Sequence, residues 1–321
     1  PFSASIIMRI FVTGSSGFIG FHLVKKLLND GHEVVGIDDH NDYYNPALKL
    51  KRLSLLDSNN FKFYETNINN IHISEENFDL AINLAAQAGV RVPKGKEHLY
   101  KYTNIDGFKS FCNFCKKNNI NKILYASSSS VYSDIDEGKF CEASTPLKPK
   151  SKYGESKLFN EIFASNFLKS YDASIIGLRF FSVYGSFGRP DMAYYAFSKA
   201  IKDKEIITLN NNGNMYRDMT YIDDIVDGIF RAIDYVSSVQ NKNEIFNLGN
   251  DTPIKIIDLL NRIEQIIGIK ALIKPHKTEN EAFKTHADIT KAKNLLGYDP
   301  KVCFDEGIEK FLDWHRHYEN I

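Results

Sequence analysis

Residues 9–20 read Arg9-Ile-Phe-Val-Thr-Gly-Ser-Ser-Gly-Phe-Ile-Gly20, an apolar strand that runs directly into a glycine turn. The pattern of apolar residues from Phe18 to Asn29 predicts that a helix follows the turn. Glycines permit a tight turn and a close approach of the backbone to a pyrophosphate, and the helix amino terminus offers unpaired N–H groups to its charge. The stretch therefore predicts a dinucleotide-binding unit.

The residues after this helix support the same interpretation. Gly31 ends the helix, Glu33-Val-Val-Gly-Ile37 reads as the next strand, and Asp38-Asp39 follows it. An acid at that place binds the ribose hydroxyls of adenosine and repels a 2′-phosphate, so NAD is expected rather than NADP. The alternative for Asp38 is a solvated carboxylate in a turn.

Strands and helices alternate along the amino-terminal half of the chain. Further apolar strands are predicted at Phe61–Tyr64, Phe78–Leu84, Lys122–Ala126 and Ser174–Phe180, separated by helical stretches. Such alternation is typical of an α/β fold, here a Rossmann-type, doubly wound parallel sheet.

A tyrosine and a lysine stand one helical turn apart in Tyr153-Gly-Glu-Ser-Lys157. If the segment to Ser170 is a helix, both side chains project from one face. A nearby ammonium stabilises a phenolate and moves its pKa down from about 10, as a general base requires. The alternative is a chance pair on an amphipathic helix, and the dinucleotide unit upstream favours the acid/base interpretation.

The composition restricts the class of protein. Forty basic residues balance forty acidic ones in 321 residues, so charge gives no case for nucleic acid or an anionic membrane as partner. We find no apolar run that could span a bilayer and no signal-peptide pattern, and we expect a cytoplasmic protein. Residues 1–7 precede Met8 without joining the strand pattern, and we expect a vector-derived remnant or a frayed extension.

The four cysteines fit a reducing compartment. Cys112-Asn-Phe-Cys115 falls inside an apparent helix, where two buried cysteines are expected and a metal or redox role is the alternative. No second ligand pair follows, and the nine histidines form no metal spacing. We therefore expect no metal.

Several longer blocks of sequence occur in a fixed order. They are Gly36-Ile-Asp-Asp-His-Asn-Asp-Tyr-Tyr-Asn45, Leu84-Ala-Ala-Gln-Ala-Gly-Val-Arg91, Ser127-Ser-Ser-Ser-Val-Tyr132, Arg179-Phe-Phe-Ser-Val-Tyr-Gly185, Gly188-Arg-Pro-Asp-Met192 and Arg217-Asp-Met-Thr-Tyr-Ile-Asp-Asp224. From Met8 onward the chain resembles the extended short-chain dehydrogenase/reductases that act as nucleotide-sugar epimerases and dehydratases. Within that group it most resembles the UDP-glucuronate 4-epimerases.

The resemblance implies roles for individual residues. Tyr153 would take the proton of the sugar 4-hydroxyl, Lys157 would lower the pKa of Tyr153 and hold the nicotinamide ribose, and Ser128 would hydrogen-bond the 4-hydroxyl. Asn67 stands where an aspartate usually contacts adenine, and its amide can serve the same purpose. The implied NAD-binding residues are Gly14, Gly17, Phe18, Ile19, Gly20, Asp38, Asn67, Ile68, Leu84, Ala85, Ala86, Tyr153 and Lys157.

Arg189, with Ser182 as a helper, would bind the carboxylate of the substrate, since a guanidinium fork suits that group. Arg217 would contact the UDP phosphate. Their alternatives are a surface salt bridge for Arg189 and an ion pair with Asp223 or Asp224 for Arg217. The implied substrate-binding residues are Arg91, Ser129, Ser130, Ser182, Arg189, Arg217 and Glu281, although Glu281-Ala282 replaces the usual Gly-Asp-Val neighbourhood.

The implied reaction is the NAD-dependent 4-epimerisation of UDP-glucuronate to UDP-galacturonate through a 4-keto intermediate. The alternatives are a 4-epimerase of UDP-glucose or UDP-N-acetylglucosamine, a UDP-glucuronate decarboxylase and a non-catalytic NAD-binding scaffold. Decarboxylases carry an acid beside the catalytic hydroxyl, whereas this chain has Ser128-Ser-Ser130, which favours the epimerase.

The resembled fold has two lobes. Residues 8–180, with a return segment near 219–248, would bind NAD, and residues 181–218 and 249–321 would form a smaller, mainly C-terminal, nucleotide-sugar-binding lobe. Helices around Asn104–Asn118 and Tyr153–Ser170 would form the four-helix interface of a homodimer.

Overall fold

The computed structural model describes residues 7–90, 92, 95–132, 138–278 and 282–318. The predictions for residues 1–6, Arg91 and Glu281 fall outside this part of the chain. The strands are β1 Arg9–Thr13, β2 Glu33–Asp38, β3 Phe61–Glu65, β4 Leu80–Asn83, β5 Lys122–Ser128, β6 Ser174–Phe180, β7 Ser182–Tyr184, β8 Ile206–Asn210, β9 Tyr216–Tyr221, β10 Asn243–Leu248, β11 Pro253–Lys255 and β12 Leu272–His276.

The longer helices complete the description. They are α1 Phe18–Asn29, α2 Ala47–Ser54, α3 Gly107–Lys117, α4 Lys152–Phe167, α5 Ala193–Asp203, α6 Ile222–Ser238, α7 Ile256–Ile267, α8 Thr290–Leu296 and α9 Phe304–Tyr318, with a π-helix at Tyr100–Asp106 directly before α3. Within the described ranges, no helix is both long and apolar enough to cross a membrane.

In the described part of the chain, seven strands form one parallel sheet in the order β10-β6-β5-β4-β1-β2-β3. This is the order of a doubly wound nucleotide-binding fold, with one further strand at the β6 edge. The predicted Rossmann-type sheet is confirmed. The chain moves outward in opposite directions from β1 and β4, so the crevice beyond their carboxyl ends is the expected place for a ligand.

The two faces of the sheet are buried in two hydrophobic clusters. Successive side chains of β1 alternate between them, with Ile10 and Val12 in one and Phe11 in the other. The first cluster includes the apolar faces of α1 and α6, and the second includes those of α3 and α4. Cys112 and Cys115 are fully buried in the second cluster, as expected for cysteines on a packed helix face.

The structure differs from the predicted elements mainly at their ends. The predicted strand Phe78–Leu84 is shorter, at Leu80–Asn83, although Phe78 is buried and its ring lies 5.5 Å from that of Phe11. The helix predicted to reach Ser170 ends its α-helical part at Phe167 and continues as a 3₁₀ turn. The stretch predicted as one helix from Asn104 begins instead as a π-helix.

The carboxyl-terminal half builds two small sheets and returns to the large one. β9 pairs with β7 in parallel and with β11 in an antiparallel manner, and β12 pairs with β8. The helix α6 then packs on the large sheet, and β10 pairs with β6 in parallel. In chain order, β7 and β9 therefore lie between β6 and β10 of the large sheet, and β11 follows β10.

Candidate active site

A cleft of about 1010 Å³ lies at the carboxyl ends of β1, β4 and β5. Its wall includes the glycine turn, the segment after β4, and a group of residues from Phe180 to Met192, namely Phe180, Phe181, Ser182, Val183, Arg189, Asp191 and Met192. The start of α4 also lines the cleft. The predicted site residues that line the cleft are Gly14, Gly17, Phe18, Ile19, Gly20, Asp38, Ile68, Leu84, Ala85, Ala86, Ser128, Ser129, Ser130, Tyr153, Lys157, Ser182, Arg189 and Arg217.

The backbone packs too closely around Gly14 and Gly20 to accept a side chain at either position. Gly14 has φ +70°, and a Cβ added there would lie 2.7 Å from the backbone nitrogen of Ala85. A Cβ on Gly20 would overlap the carbonyl oxygen of Gly14. The backbone is therefore exposed to the cleft at the amino terminus of α1, where N–H groups and the helix dipole favour a phosphate. This cradle fits the pyrophosphate of a dinucleotide.

The adenosine side of the cleft lies beyond β2. Asp38 is 7% exposed and accepts a hydrogen bond from the backbone N–H of His40 at 3.0 Å. Ile68 lines the cleft, as predicted. The side chain of Asn67 instead donates to Asp39 at 2.8 Å and accepts from the backbone N–H of Asn69 at 3.0 Å. Its amide is thus already engaged, and an adenine contact by Asn67 requires that this pairing be shared or broken.

Three polar side chains meet where β5 ends and α4 begins. Tyr153 is partly buried and forms a hydrogen bond with Ser128, the last residue of β5. The Nζ atom of Lys157 lies 5.8 Å from the centre of the Tyr153 ring and donates to the carbonyl oxygen of Ala126 at 2.9 Å. The spacing of one helical turn therefore places both side chains on the same face of α4, as predicted from the sequence.

The pKa of Tyr153 differs from the expectation. Burial raises it above its usual value, because desolvation disfavours the phenolate, and Asp191 raises it further. The positive charge of Arg189 and the hydrogen bond from Ser128 oppose this rise. In this site Lys157 does not hold the pKa of Tyr153 below 10, and the opposing contributions come from Arg189 and Ser128.

Lys157 is itself perturbed. It is 1% exposed, and burial lowers its pKa to about 8 because the ammonium has lost its water. The carbonyl of Ala126 satisfies one of its donors and leaves others for a ligand. A ribose hydroxyl beside Tyr153 would supply acceptors for these donors.

A buried ion pair supports the strand end that carries Ser128. Arg179 donates from Nε and Nη2 to the two carboxylate oxygens of Glu161, at 2.9 and 2.7 Å. Ser127 donates to the same carboxylate at 2.5 Å, and Arg179 lies 4.6 Å from the centre of the Tyr132 ring. Glu161 stands on α4, so this network joins the helix that carries Tyr153 and Lys157 to β5 and β6.

The far end of the cleft carries Arg189. Its Nε and Nη2 donate to the two carboxylate oxygens of Asp191 at 3.0 and 2.5 Å. Asp191 also accepts from the hydroxyl of Tyr43 at 3.1 Å. The salt bridge that was the alternative for Arg189 is therefore present, but it lies on the cleft wall, and the Arg189 side chain is 21% exposed.

Arg217 stands on β9 and reaches the cleft. Its Nη1 donates to the carbonyl oxygens of Tyr216 and Ala282, both at 2.8 Å. Asp224, one of the two acids considered as its ion-pair partner, accepts instead from the backbone N–H groups of Lys301 and Val302. These contacts hold the guanidinium of Arg217 on the part of the cleft wall that belongs to the β7–β9–β11 sheet.

Sequence reasoning missed several polar residues of the cleft wall. Tyr43, Tyr44 and Lys49 come from the segment after β2, and Asp191 comes from the loop before α5. Tyr43 and Asp191 are 148 positions apart in the chain and meet only in the fold. Tyr43, Tyr44 and Asp191 do stand inside blocks that carry the resemblance, which assigned them no role.

Among the residues that the structure describes, no group of three or more His, Cys, Asp or Glu is arranged to hold a metal ion. The described cysteines are all free thiols, and burial raises the pKa of Cys112 and Cys115 well above the usual value. A buried thiol with a raised pKa is unreactive, which favours a packing role for this pair.

Comparison with known proteins places this cleft in a family. Residues 10–249 match the model of the NAD dependent epimerase/dehydratase family. An uncharacterised protein of Methanocaldococcus jannaschii is 42% identical over 95% of both chains. UDP-glucuronate 4-epimerase 4 of Arabidopsis thaliana is 37% identical over 97% of this chain and 76% of its own length.

A solved structure agrees with this placement. The crystal structure of the UDP-glucuronic acid 4-epimerase of Bacillus cereus, in complex with UDP-glucuronic acid and NAD, superposes with a TM-score of 0.91. It is 34% identical, and the match covers 97% of this chain and all of that one.

Proposed function

The chain belongs to the NAD-dependent epimerase/dehydratase family, and from that premise we propose that it is a UDP-sugar 4-epimerase that converts UDP-glucuronate to UDP-galacturonate. One observation supports this most: Ser128, Tyr153 and Lys157 converge in the cleft that also contains the glycine cradle. A proton acceptor beside a dinucleotide site suits oxidation and reduction of a carbinol carbon.

Tyr153 holds the proton in this mechanism. In its deprotonated form, which the charge of Arg189 and the hydrogen bond from Ser128 favour, it accepts the proton of the sugar 4-hydroxyl. Ser128 hydrogen-bonds the same oxygen of the sugar. When bound, NAD supplies the hydride acceptor for carbon 4 and the donor for its reduction. The 4-keto sugar is planar at carbon 4, so rotation of the ring in the cleft presents its other face. Tyr153 then returns the proton to the carbonyl oxygen, and the configuration is inverted.

Arg189 recognises the carboxylate of the uronate in this proposal. The group lies on the cleft wall near enough to Tyr153 to influence its pKa, and its guanidinium is suited to bind a carboxylate. Ser129, Ser130 and Ser182 line the same part of the cleft and offer hydroxyl groups. Arg217, on β9, would bind the diphosphate.

A 4-keto uronic acid is a β-keto acid and can lose carbon dioxide. The proposed enzyme therefore has to hold the carboxylate in an orientation that disfavours this loss. The serines that follow Ser128 place no acid beside the reacting hydroxyl, and Arg189 offers a fixed cation. Both features support epimerisation over decarboxylation.

The organisation of the molecule extends the proposal. Residues 8–180, with a return segment near 219–248, would bind NAD, and residues 181–218 and 249–321 would bind the UDP-sugar. A homodimer through the π-helix, α3 and α4 agrees with exposed apolar residues there, since Tyr102 is 44% and Ile162 55% exposed. The free cysteines suit a cytoplasmic location.

The test is a product assay by proton NMR. The purified protein is incubated with UDP-glucuronate, UDP-glucose or UDP-N-acetylglucosamine, with and without added NAD, and the anomeric signals and released carbon dioxide are followed. The proposal predicts UDP-galacturonate from UDP-glucuronate. A UDP-pentose would reassign the protein as a decarboxylase, and turnover of a neutral sugar alone would reassign its substrate.

A further inference from the structure

Arg52 is an arginine for which the proposed mechanism has no role. It stands on α2 and is 0% exposed, so its charge is removed from water. Burial of a charged group is costly unless hydrogen bonds compensate it. The guanidinium of Arg52 therefore needs hydrogen-bond acceptors inside the fold.

All three nitrogens of the Arg52 guanidinium donate hydrogen bonds. Nε and Nη2 donate to the carbonyl oxygen of Phe187 at 3.1 and 2.7 Å, and Nη2 also donates to that of Gly188 at 3.1 Å. Nη1 donates to the carbonyl oxygen of Ser16 at 3.2 Å and to the hydroxyl of Tyr44 at 2.6 Å. Each of these acceptors is an uncharged oxygen, so the contacts orient backbone groups rather than neutralise an acid.

These acceptors lie next to residues that line the cleft. Ser16 lies within the glycine turn that forms the NAD cradle, and Phe187 and Gly188 immediately precede Arg189. One planar group thus spans from the cofactor turn to the loop that carries the carboxylate-binding arginine.

The loop needs such support. Phe187 has φ +56°, a conformation that a residue with a side chain rarely adopts. Its ring packs between Phe21 and Trp314, at 5.1 and 4.9 Å between ring centres. The hydrogen bonds from Arg52 to its carbonyl oxygen favour this conformation and so determine the direction in which the chain enters Arg189.

We propose that Arg52 is a positioning residue that sets the place of Arg189 relative to the NAD cradle and thereby determines selectivity for a uronate. The proposal rests on the proposed function of Arg189. A lysine could not replace Arg52, because one ammonium lacks the planar fork that reaches Ser16, Phe187 and Gly188 together. Displacement of Arg189 affects a carboxylate far more than a neutral hydroxymethyl group, which makes no ion pair.

The experiment measures binding by isothermal titration calorimetry. Wild-type protein and R52K, both loaded with NAD, are titrated with UDP-glucuronate and with UDP-glucose. We expect R52K to bind UDP-glucuronate about 10-fold more weakly and UDP-glucose within about 2-fold of wild type, because only the uronate depends on the position of Arg189. Equal weakening of both sugars would overturn the proposal, since it would indicate general damage.

D224N is the matched control for lost stability. Asp224 is buried and accepts from two backbone N–H groups outside the cleft, so its replacement destabilises the fold without moving Arg189. At a comparable fall in Tm, D224N should keep the ratio of the two affinities. Loss of that ratio in D224N would contradict the proposal.

R52Q provides a second test if R52K does not fold. A neutral amide avoids the burial of charge, and the same selective loss is expected. Failure of both variants to fold would overturn the proposal in favour of a purely structural role. Equal affinity of the wild-type protein for both sugars would be a different failure, because it would reject the uronate assignment before Arg52 is considered.

Discussion

Tyr153 and Lys157 show how burial shapes the chemistry of single residues. The sequence predicts that they share a helix face, and the structure confirms the geometry. It does not confirm a phenol pKa below 10, because desolvation outweighs the opposing effects of the Arg189 charge and the hydrogen bond from Ser128. The spacing of two residues in a helix predicts the side on which their side chains project. Their desolvation depends on the residues that the rest of the chain packs around them.

We predict that Y153F lowers kcat by a factor of about 10²–10⁴, because the proton acceptor is lost. Bound NAD, followed by its absorbance after release, should stay near the wild-type amount. Y100F is the matched control: Tyr100 lies 6.2 Å away between ring centres and donates to the carbonyl of Gly89. Wild-type activity in Y153F, or an equal loss in Y100F, would reject Tyr153 as the base.

The buried ammonium of Lys157 should lower the free energy of unfolding. Its pKa is lowered from 10.5 to about 8, so the charged form opposes folding at pH 7 by up to about 3 kcal/mol. We predict that K157M abolishes turnover and raises the free energy of unfolding by about 1–2 kcal/mol, since the lost hydrogen bond to Ala126 offsets part of the gain. Denaturant unfolding of both proteins, with NAD removed, measures this difference.

The pH dependence provides the check. The folded protein binds this proton more weakly than the unfolded chain, so the cost is complete below pH 8 and fades between pH 8 and 10.5. The advantage of K157M should therefore shrink as the pH rises through that range. K199M, at an exposed lysine, should show no such trend. A constant advantage for K157M would contradict the lowered pKa.

Arg189 should separate charged from neutral substrates. We predict that R189A lowers kcat/KM for UDP-glucuronate by a factor of about 10² or more, because a carboxylate would be left without its partner. Binding of UDP-glucose should change by less than about 3-fold. R262A removes an arginine from an ion pair elsewhere on the surface and serves as control. Equal losses for both sugars in R189A would refute a carboxylate-specific role.

Among the structural elements, the β1–turn–α1 unit gives the strongest indication of a cofactor site. Gly14 and Gly31 both have positive φ, but only Gly14 lies against another backbone, while nothing lies within 4 Å of a Cβ on Gly31. We predict that G14A abolishes NAD binding, since the turn must open. G31A should cost about 1 kcal/mol of stability and keep NAD. Fluorescence titration with NADH measures both, and NAD binding by G14A would contradict the cradle.

The main sheet was largely predictable because its strands β1, β2, β4, β5 and β6 are buried over most of their length and read as short apolar runs. Residue identity also revealed the glycine turn and the Tyr153 pair. The π-helix was not predictable, since its Asn104 is held by Gln87 and Ser156, contacts that form only in the folded chain. The same holds for Tyr43 with Asp191 and for Arg52 with the loop before Arg189.

The contacts of Asn67 could not be predicted from its residue type alone. An asparagine can hydrogen-bond a base as an aspartate does, and the sequence suggests no competitor. The structure supplies one in Asp39, which takes the donor side of the amide. The residue type shows what the amide of Asn67 can bind, but the partner that it meets is set by the turn after β2.

At the scale of the whole molecule, the proposed dimer is testable. Ile162 on α4 is 55% exposed, and a charge there would be buried in a four-helix interface. We predict that I162E shifts the protein from dimer to monomer in light scattering coupled to size exclusion. I206E, at an exposed isoleucine on β8, is the control and should stay dimeric. A wild-type monomer would reject the dimer.

Segments from both halves of the chain form the cleft, and the proposed function is one reaction within it. The most direct measurement uses UDP-glucuronate with deuterium at carbon 4, incubated with the protein in ordinary water. We predict UDP-galacturonate that keeps deuterium at carbon 4, because the hydrogen removed from one face is returned to the other within the same site. Loss of the label to solvent, or formation of a UDP-pentose in place of UDP-galacturonate, would contradict it.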